Sequence, residues 1–129
     1  MEKIKVLVAD DVRIMRSLLR SNLATFECEI VSEVDNGDDV AEQVRHHVPD
    51  IVFLDINMPG KNGLDVLQEI KSEFSGIFVA MISGHNTFDN IKRSMELGAD
   101  GFVVKPYTAI KIREMIDKYR SGLKGSFLI

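Results

Sequence analysis

Ile51-Val52-Phe53-Leu54-Asp55-Ile56-Asn57-Met58-Pro59-Gly60 is the stretch that decides the fold of this chain. Its four leading apolar residues show no polar alternation, so they read as a short strand buried on both faces, as in a parallel sheet covered by helices on each side. The run ends in a carboxylate, and Pro59-Gly60 then turns the chain into a loop. Leu64, Leu67, Ile70 and Phe74 follow at helical spacing and define a helix.

The same strand-then-helix unit recurs to either side. Upstream, Lys3 to Ala9 is a β-branched, apolar strand, and Val12, Met15, Leu19 and Leu23 recur at helical spacing after it. Glu29 to Val34 reads as the second strand and Asn36-Gly37 as a turn. Val40, Ala41 and Val44 mark the inner face of a helix that stops before Pro49. Downstream, Ile77 to Ile82 is the fourth strand, and Phe88, Ile91 and Met95 mark a helix ended by Gly98. Phe102 to Val104 is the fifth strand. Ile112, Met115, Ile116 and Tyr119 define the last helix, with Gly122 as its stop.

Parallel strands need crossover connections, and those are right-handed, so five such units predict an α/β fold with one open parallel sheet and helices on both faces. A closed eight-fold barrel would need about twice the residues. The economical strand order is 2-1-3-4-5, the flavodoxin-like, doubly wound (βα)5 arrangement. Its ligands belong beyond the carboxyl ends of the strands, where the order switches between strands one and three.

Composition sets the outer bounds. A chain of 129 residues with 45% hydrophobic and 28% charged side chains has the make-up of one ordinary globular domain, not of a disordered segment. We expect that domain over residues 1–120, with 121–129 a tail that serves as linker, docking peptide or remnant. The net charge of -4 offers no positive field for nucleic acid or anionic lipid. No apolar run approaches the roughly 20 residues that span a bilayer, so no membrane insertion is expected. The single cysteine, Cys28, closes no internal disulfide, and a strand pattern begins at once after Met1; both point to the cytoplasm.

Four of the five strands deliver polar chemistry at their carboxyl ends: Asp10-Asp11, Asp55, Ser83, and Lys105 before Pro106. Each has a plain structural reading alone. Asp11 could cap the first helix, Asp55 could start an Asx turn, Ser83-Gly84 could be a turn and Lys105 could be solvated. Capping and turns do not explain why three carboxylates, a hydroxyl and a lysine share one crevice. Three adjacent carboxylates repel unless a cation neutralises them, and all-oxygen ligands select a hard ion, Mg²⁺ or Mn²⁺ as its substitute. With the metal and Lys105 the charges sum to zero, leaving a pocket that accepts an anion. Phosphoryl transfer fits, with central Asp55 as the nucleophile.

These residues resemble the receiver domain of two-component response regulators: the pair Asp10-Asp11, Asp55 in Asp-Ile-Asn-Met-Pro-Gly, Ser83, and Lys105-Pro106. The resemblance runs from about Glu2 to Arg120, and the family shares the 2-1-3-4-5 order. It implies that Asp55 accepts a phosphoryl group from a histidine kinase or phosphotransfer protein, or from a small phosphodonor, in a reaction the domain itself catalyses. It is thus a phosphoacceptor signalling protein, not an enzyme acting on other substrates. Mg²⁺ would be held by Asp11, Asp55, the Asn57 carbonyl and, largely through water, Asp10. Lys105 would pair with one phosphoryl oxygen and Ser83 would move to another. Phe102, three residues before Lys105, stands where the family has its switch aromatic; as Phe it has no hydroxyl to offer, so output is read by shape and burial. The resemblance implies a cis Lys105-Pro106 bond. Asn57 and His85, each two residues past a site residue, would flank the line of water attack and set the lifetime of the phosphorylated state.

The resemblance further implies a stand-alone switch whose fourth helix, fifth strand and fifth helix control a protein partner the sequence does not name, with activation-dependent dimerisation left open. Three alternatives remain: a receiver fragment of a larger regulator, a haloacid-dehalogenase-type phosphatase, and a flavin carrier. The phosphatase would carry its nucleophile after the first strand in Asp-x-Asp, and the flavin carrier would want a hydroxyl-rich loop where Asp10-Asp11 stands. Of the remaining features, Cys28 reads as a packing residue, His46-His47 as cations at a helix end, and Gly60-Lys61-Asn62-Gly63 as a turn.

Overall fold

The computed structural model describes residues 2–84, 87–122 and 127–129. Five strands and five helices alternate in it: β1 (Ile4–Ala9), α1 (Arg13–Ala24), β2 (Cys28–Val34), α2 (Val40–His47), β3 (Ile51–Asp55), α3 (Gly63–Glu73), β4 (Phe78–Ser83), α4 (Phe88–Glu96), β5 (Gly101–Val104) and α5 (Ala109–Ser121). All strand pairs are parallel, in the order β2-β1-β3-β4-β5. The expected α/β topology is therefore the observed one, with element ends within about one or two residues of those expected.

The pleat explains the two cores. Alternate side chains of each strand point to opposite faces, so Leu7, Val52, Leu54, Val79, Met81 and Phe102 pack with α2 and α3. Val6, Val8, Ile51, Phe53, Ala80, Ile82 and Val103 pack on the other face with Leu19 and Leu23 of α1 and Ile112, Met115 and Ile116 of α5. Every residue of β3 is buried, as its unbroken apolar run requires.

Two helices depart from expectation in which residues they bury. In α4, Phe88 is 77% exposed and Met95 54% exposed, while Ser94 is buried with its hydroxyl bonded to the Asn90 carbonyl at 2.7 Å. The inward stripe is Ile91, Ser94 and Leu97, so apolar character marks the outer side of this helix as well. In α1, Leu19 and Leu23 are buried but Val12 is exposed and serves as the N-cap residue; no side chain caps the helix, so Asp11 is not its cap. Cys28 is buried at the start of β2, burial pushes its thiol pKa up, and it packs as expected.

Candidate functional site

Register carries the polar residues to one edge. Ala9 of β1 pairs with Leu54 of β3, so Asp10 and Asp55 both stand one step beyond that row. Asp55 pairs with Ile82, leaving Ser83 one step further, and Ser83 pairs with Val104, leaving Lys105 beyond it. A staircase of four strands thus places Asp10, Asp55, Ser83 and Lys105 along the carboxyl edge of the sheet, at the β1/β3 switch point. The Lys105-Pro106 peptide is cis, as the resemblance implied.

The side chains converge. Lys105 Nζ lies 2.7 Å from Asp55 Oδ2 and 3.1 Å from Asp10 Oδ2, bridging the two buried carboxylates. Asp11 is exposed at the mouth, and each of Asp10, Asp11 and Asp55 offers an oxygen within 4.8 Å of the others. Asp55 Oδ1 accepts the backbone N–H of Asn57 at 3.1 Å. The Asx-type bond foreseen for Asp55 therefore forms, and the carboxylate still keeps its second oxygen on Lys105. Asp10 Oδ1 accepts the Val12 N–H at 2.9 Å.

Electrostatics follow from this packing. Burial pushes the Asp55 carboxyl above the ordinary carboxylate range; the bonds from Lys105 and the Asn57 N–H pull it down without cancelling the rise, to which the charge of Asp10 adds. Burial alone would depress Lys105, but its bond to Asp55 and the charges of Asp55 and Asp10 outweigh that, so it stays firmly charged. Lys105 sets one positive charge against the three carboxylates of Asp10, Asp11 and Asp55. Three carboxylates with converging oxygens suit a hard divalent ion.

Tyr107 is a site residue that sequence reasoning missed. Its hydroxyl, buried, donates to Asp10 Oδ2 at 2.8 Å, and burial with the charge of Asp10 pushes its pKa up, keeping it a neutral donor. Its position directly after Lys105-Pro106 was the available signal. Arg16 was missed likewise: it donates to the Asp10 carbonyl at 2.8 Å and lies 3.4 Å from Glu33. Of the expected site residues, Ser83 is fully buried at the end of β4, with its carbonyl accepting the Lys105 N–H at 2.9 Å. Phe102 lies fully buried in β5, on the core face shared with α2 and α3. His85 lies outside the described residues.

An open parallel α/β sheet with a lysine-bridged acidic pocket at its switch point defines a class of α/β protein whose ligands bind beyond the carboxyl ends of the strands. The chain belongs to the response regulator receiver domain family, whose model matches residues 6–117. Phosphorylation on an aspartate is the general property of this family, and its members bind Mg²⁺ at an acidic pocket. The chemotaxis protein CheY of Halobacterium salinarum is 34% identical over 112 residues, covering 87% of this chain and 92% of that protein. The chemotaxis protein CheY of Bacillus subtilis is 32% identical over 114 residues, covering 88% of this chain and 95% of that one. Among solved structures, the signal receiver domain of the putative response regulator NarL from Mycobacterium tuberculosis superposes with a TM-score of 0.87 at 30% identity, over 93% of this chain and 98% of that one. A chain of the CheX-CheY-BeF3-Mg complex from Borrelia burgdorferi gives a TM-score of 0.84 at 27% identity, over 88% of this chain and 86% of that one. The family match leaves the dehalogenase-type and flavin readings without support. Among the described residues no helix is long and apolar enough to cross a membrane.

Proposed function

We propose that Asp55 is the phosphoacceptor of a signalling switch, and the observation that carries this is the Lys105 ammonium bridging Asp55 and Asp10 at the β1/β3 switch point. A carboxylate oxygen of Asp55 attacks the phosphorus of the donor. A P–O or P–N bond to the donor breaks, and its electron pair leaves with the donor, a phosphohistidine of a histidine kinase or a small acyl phosphate. The Asp55 side chain loses its negative charge to the new acyl phosphate, so Lys105 follows that charge to a phosphoryl oxygen. Ser83, at the adjacent strand end, donates its hydroxyl to another.

The metal's residues are Asp10, Asp11, Asp55 and the Asn57 carbonyl. Asp10 is already engaged by Val12, Tyr107 and Lys105, which favours contact through water for that residue. Bound Mg²⁺, or Mn²⁺ in its place, would supply charge neutralisation of the transferring group. Hydrolysis returns the site to its start: water attacks phosphorus, the bond to the Asp55 oxygen breaks, and phosphate leaves. Asn57 and His85 are the side chains we assign to flanking that water. Phe102 relays the change through β5 to a surface formed by α4, β5 and α5, where a partner protein, or a second copy on activation, reads it. The domain we assign spans residues 1–120, acts in the cytoplasm, and controls a protein and not DNA.

Incubation with acetyl phosphate tests the reading by intact mass. We expect a gain of about 80 Da, one phosphoryl group, in the presence of Mg²⁺, and none with chelator or in Asp55→Asn. A gain that persists in Asp55→Asn contradicts the assignment.

A further inference from the structure

β5 is the last strand of the sheet, and an edge strand presents N–H and C=O groups that invite another strand. Here that edge is occupied from within. The Phe102 N–H donates to the Phe127 carbonyl at 2.8 Å, the Ile129 N–H donates to the Phe102 carbonyl at 2.8 Å, and the Val104 N–H points to the Ile129 carbonyl at 3.4 Å. The Val104 carbonyl accepts Lys111 Nζ at 3.1 Å. Residues 127–129 thus form a short parallel bridge on β5, with Leu128 opposite Phe102.

Side chains hold the segment in place. The Phe127 ring stands 6.5 Å from the Phe102 ring, and Lys118 Nζ lies 5.7 Å from the Phe127 centroid while also bonding the Asp100 carbonyl. Phe127 joins the core face of Phe102, and Ile129 packs against the opposite face with Val103 and Ile112. Gly101 makes room for Met115, whose Cε would lie 2.6 Å from a Cβ there, while the Phe127 carbonyl would stand at an ordinary contact of 3.6 Å.

We propose that the outer edge of β5 is a strand-accepting docking surface, for which the chain's own Phe127-Leu128-Ile129 is the resident occupant. The partner it fits is an extended apolar segment of another protein, aromatic then aliphatic two residues on, added parallel to β5. Such a partner gains main-chain hydrogen bonds from the edge and pockets for alternate side chains, and it must first displace the tail. The tail competes at the high effective concentration of a tethered ligand. The inference stands on the edge geometry and does not depend on the phosphoryl chemistry.

The test uses the full chain and an acetylated Gly-Ser-Phe-Leu-Ile peptide, the sequence of residues 125–129. Ile129→Pro removes the Ile129 N–H that donates to the Phe102 carbonyl of β5, and Phe127→Ala removes the ring contact by an independent route. We expect both variants to bind the peptide about tenfold more tightly than the parent chain, the tethered competitor having been weakened. The amide exchange of Phe102 should rise in each variant and fall again with peptide, while the amides of β1 and β3 stay protected. Three results overturn the proposal: equal binding in all three proteins, no binding to either variant, or a variant that dimerises and excludes peptide, which would give the edge to a second copy.

Discussion

Asp55 is held in the folded chain where its charged form is disfavoured, because burial outweighs the Lys105 ammonium and the Asn57 N–H that face it. A carboxyl whose folded pKa is raised favours folding when protonated, and that contribution is lost as pH rises from its unfolded pKa through its folded one. Above that window the metal-free protein carries the full penalty. Asp55→Asn should therefore raise the metal-free melting temperature at neutral pH, by roughly 4 °C for about 1 kcal/mol in a domain of this size. The gain should shrink as pH falls into the carboxylate range, and Mg²⁺ should stabilise the parent more than the variant. Thermal melts across pH with and without Mg²⁺ check both statements. Tyr107 is the second residue with a distinct consequence. Tyr107→Phe keeps the ring but removes the hydroxyl that holds Asp10 Oδ2 at 2.8 Å. Lys105 still pairs with that oxygen, so the fold should lose only about 1 kcal/mol, while Mg²⁺ titration should show a changed affinity. Unchanged affinity would reduce Tyr107 to a packing residue. The sequence offered only its place directly after Lys105-Pro106, and nothing there shows that the ring turns its hydroxyl to Asp10, 97 residues away.

At the scale of elements, the loop between β3 and α3 sets the nucleophile by close packing. Gly63 opens α3 directly beneath the strand end, where a Cβ would lie 2.3 Å from the Asp55 carbonyl oxygen and 2.6 Å from Ile56 Cα. Backbone cannot yield as a side chain can, so Gly63→Ala should cost about 1–3 kcal/mol and slow phosphorylation by displacing Asp55; denaturant unfolding and the initial rate of mass gain measure the two effects. Asn62, read from the sequence only as part of a turn, caps α3: its side chain accepts the Leu64 N–H at 2.8 Å. The buried face of α4 was not legible: Phe88 and Met95 follow a helical period yet face outward. Periodicity reports an apolar stripe but not which partner covers it.

For the whole molecule, the topology could be read because each strand unit punctuates itself with a polar residue and a turn, and β3 shows by its unbroken apolar run that both faces are covered. The convergence of Asp10, Asp55, Ser83 and Lys105 then follows from parallel register alone. The bridge of residues 127–129 to β5 left no comparable signal, since three residues are too few to show a period. Register makes Asp55, and not Asp10 or Asp11, the central carboxylate, and so the one expected to react. The direct measurement is to phosphorylate the protein with acetyl phosphate and Mg²⁺, reduce the acyl phosphate with borohydride, and map the resulting homoserine by peptide mass. Homoserine at Asp55 alone is the predicted result; homoserine at Asp10 or Asp11, with Asp55 intact, would contradict it.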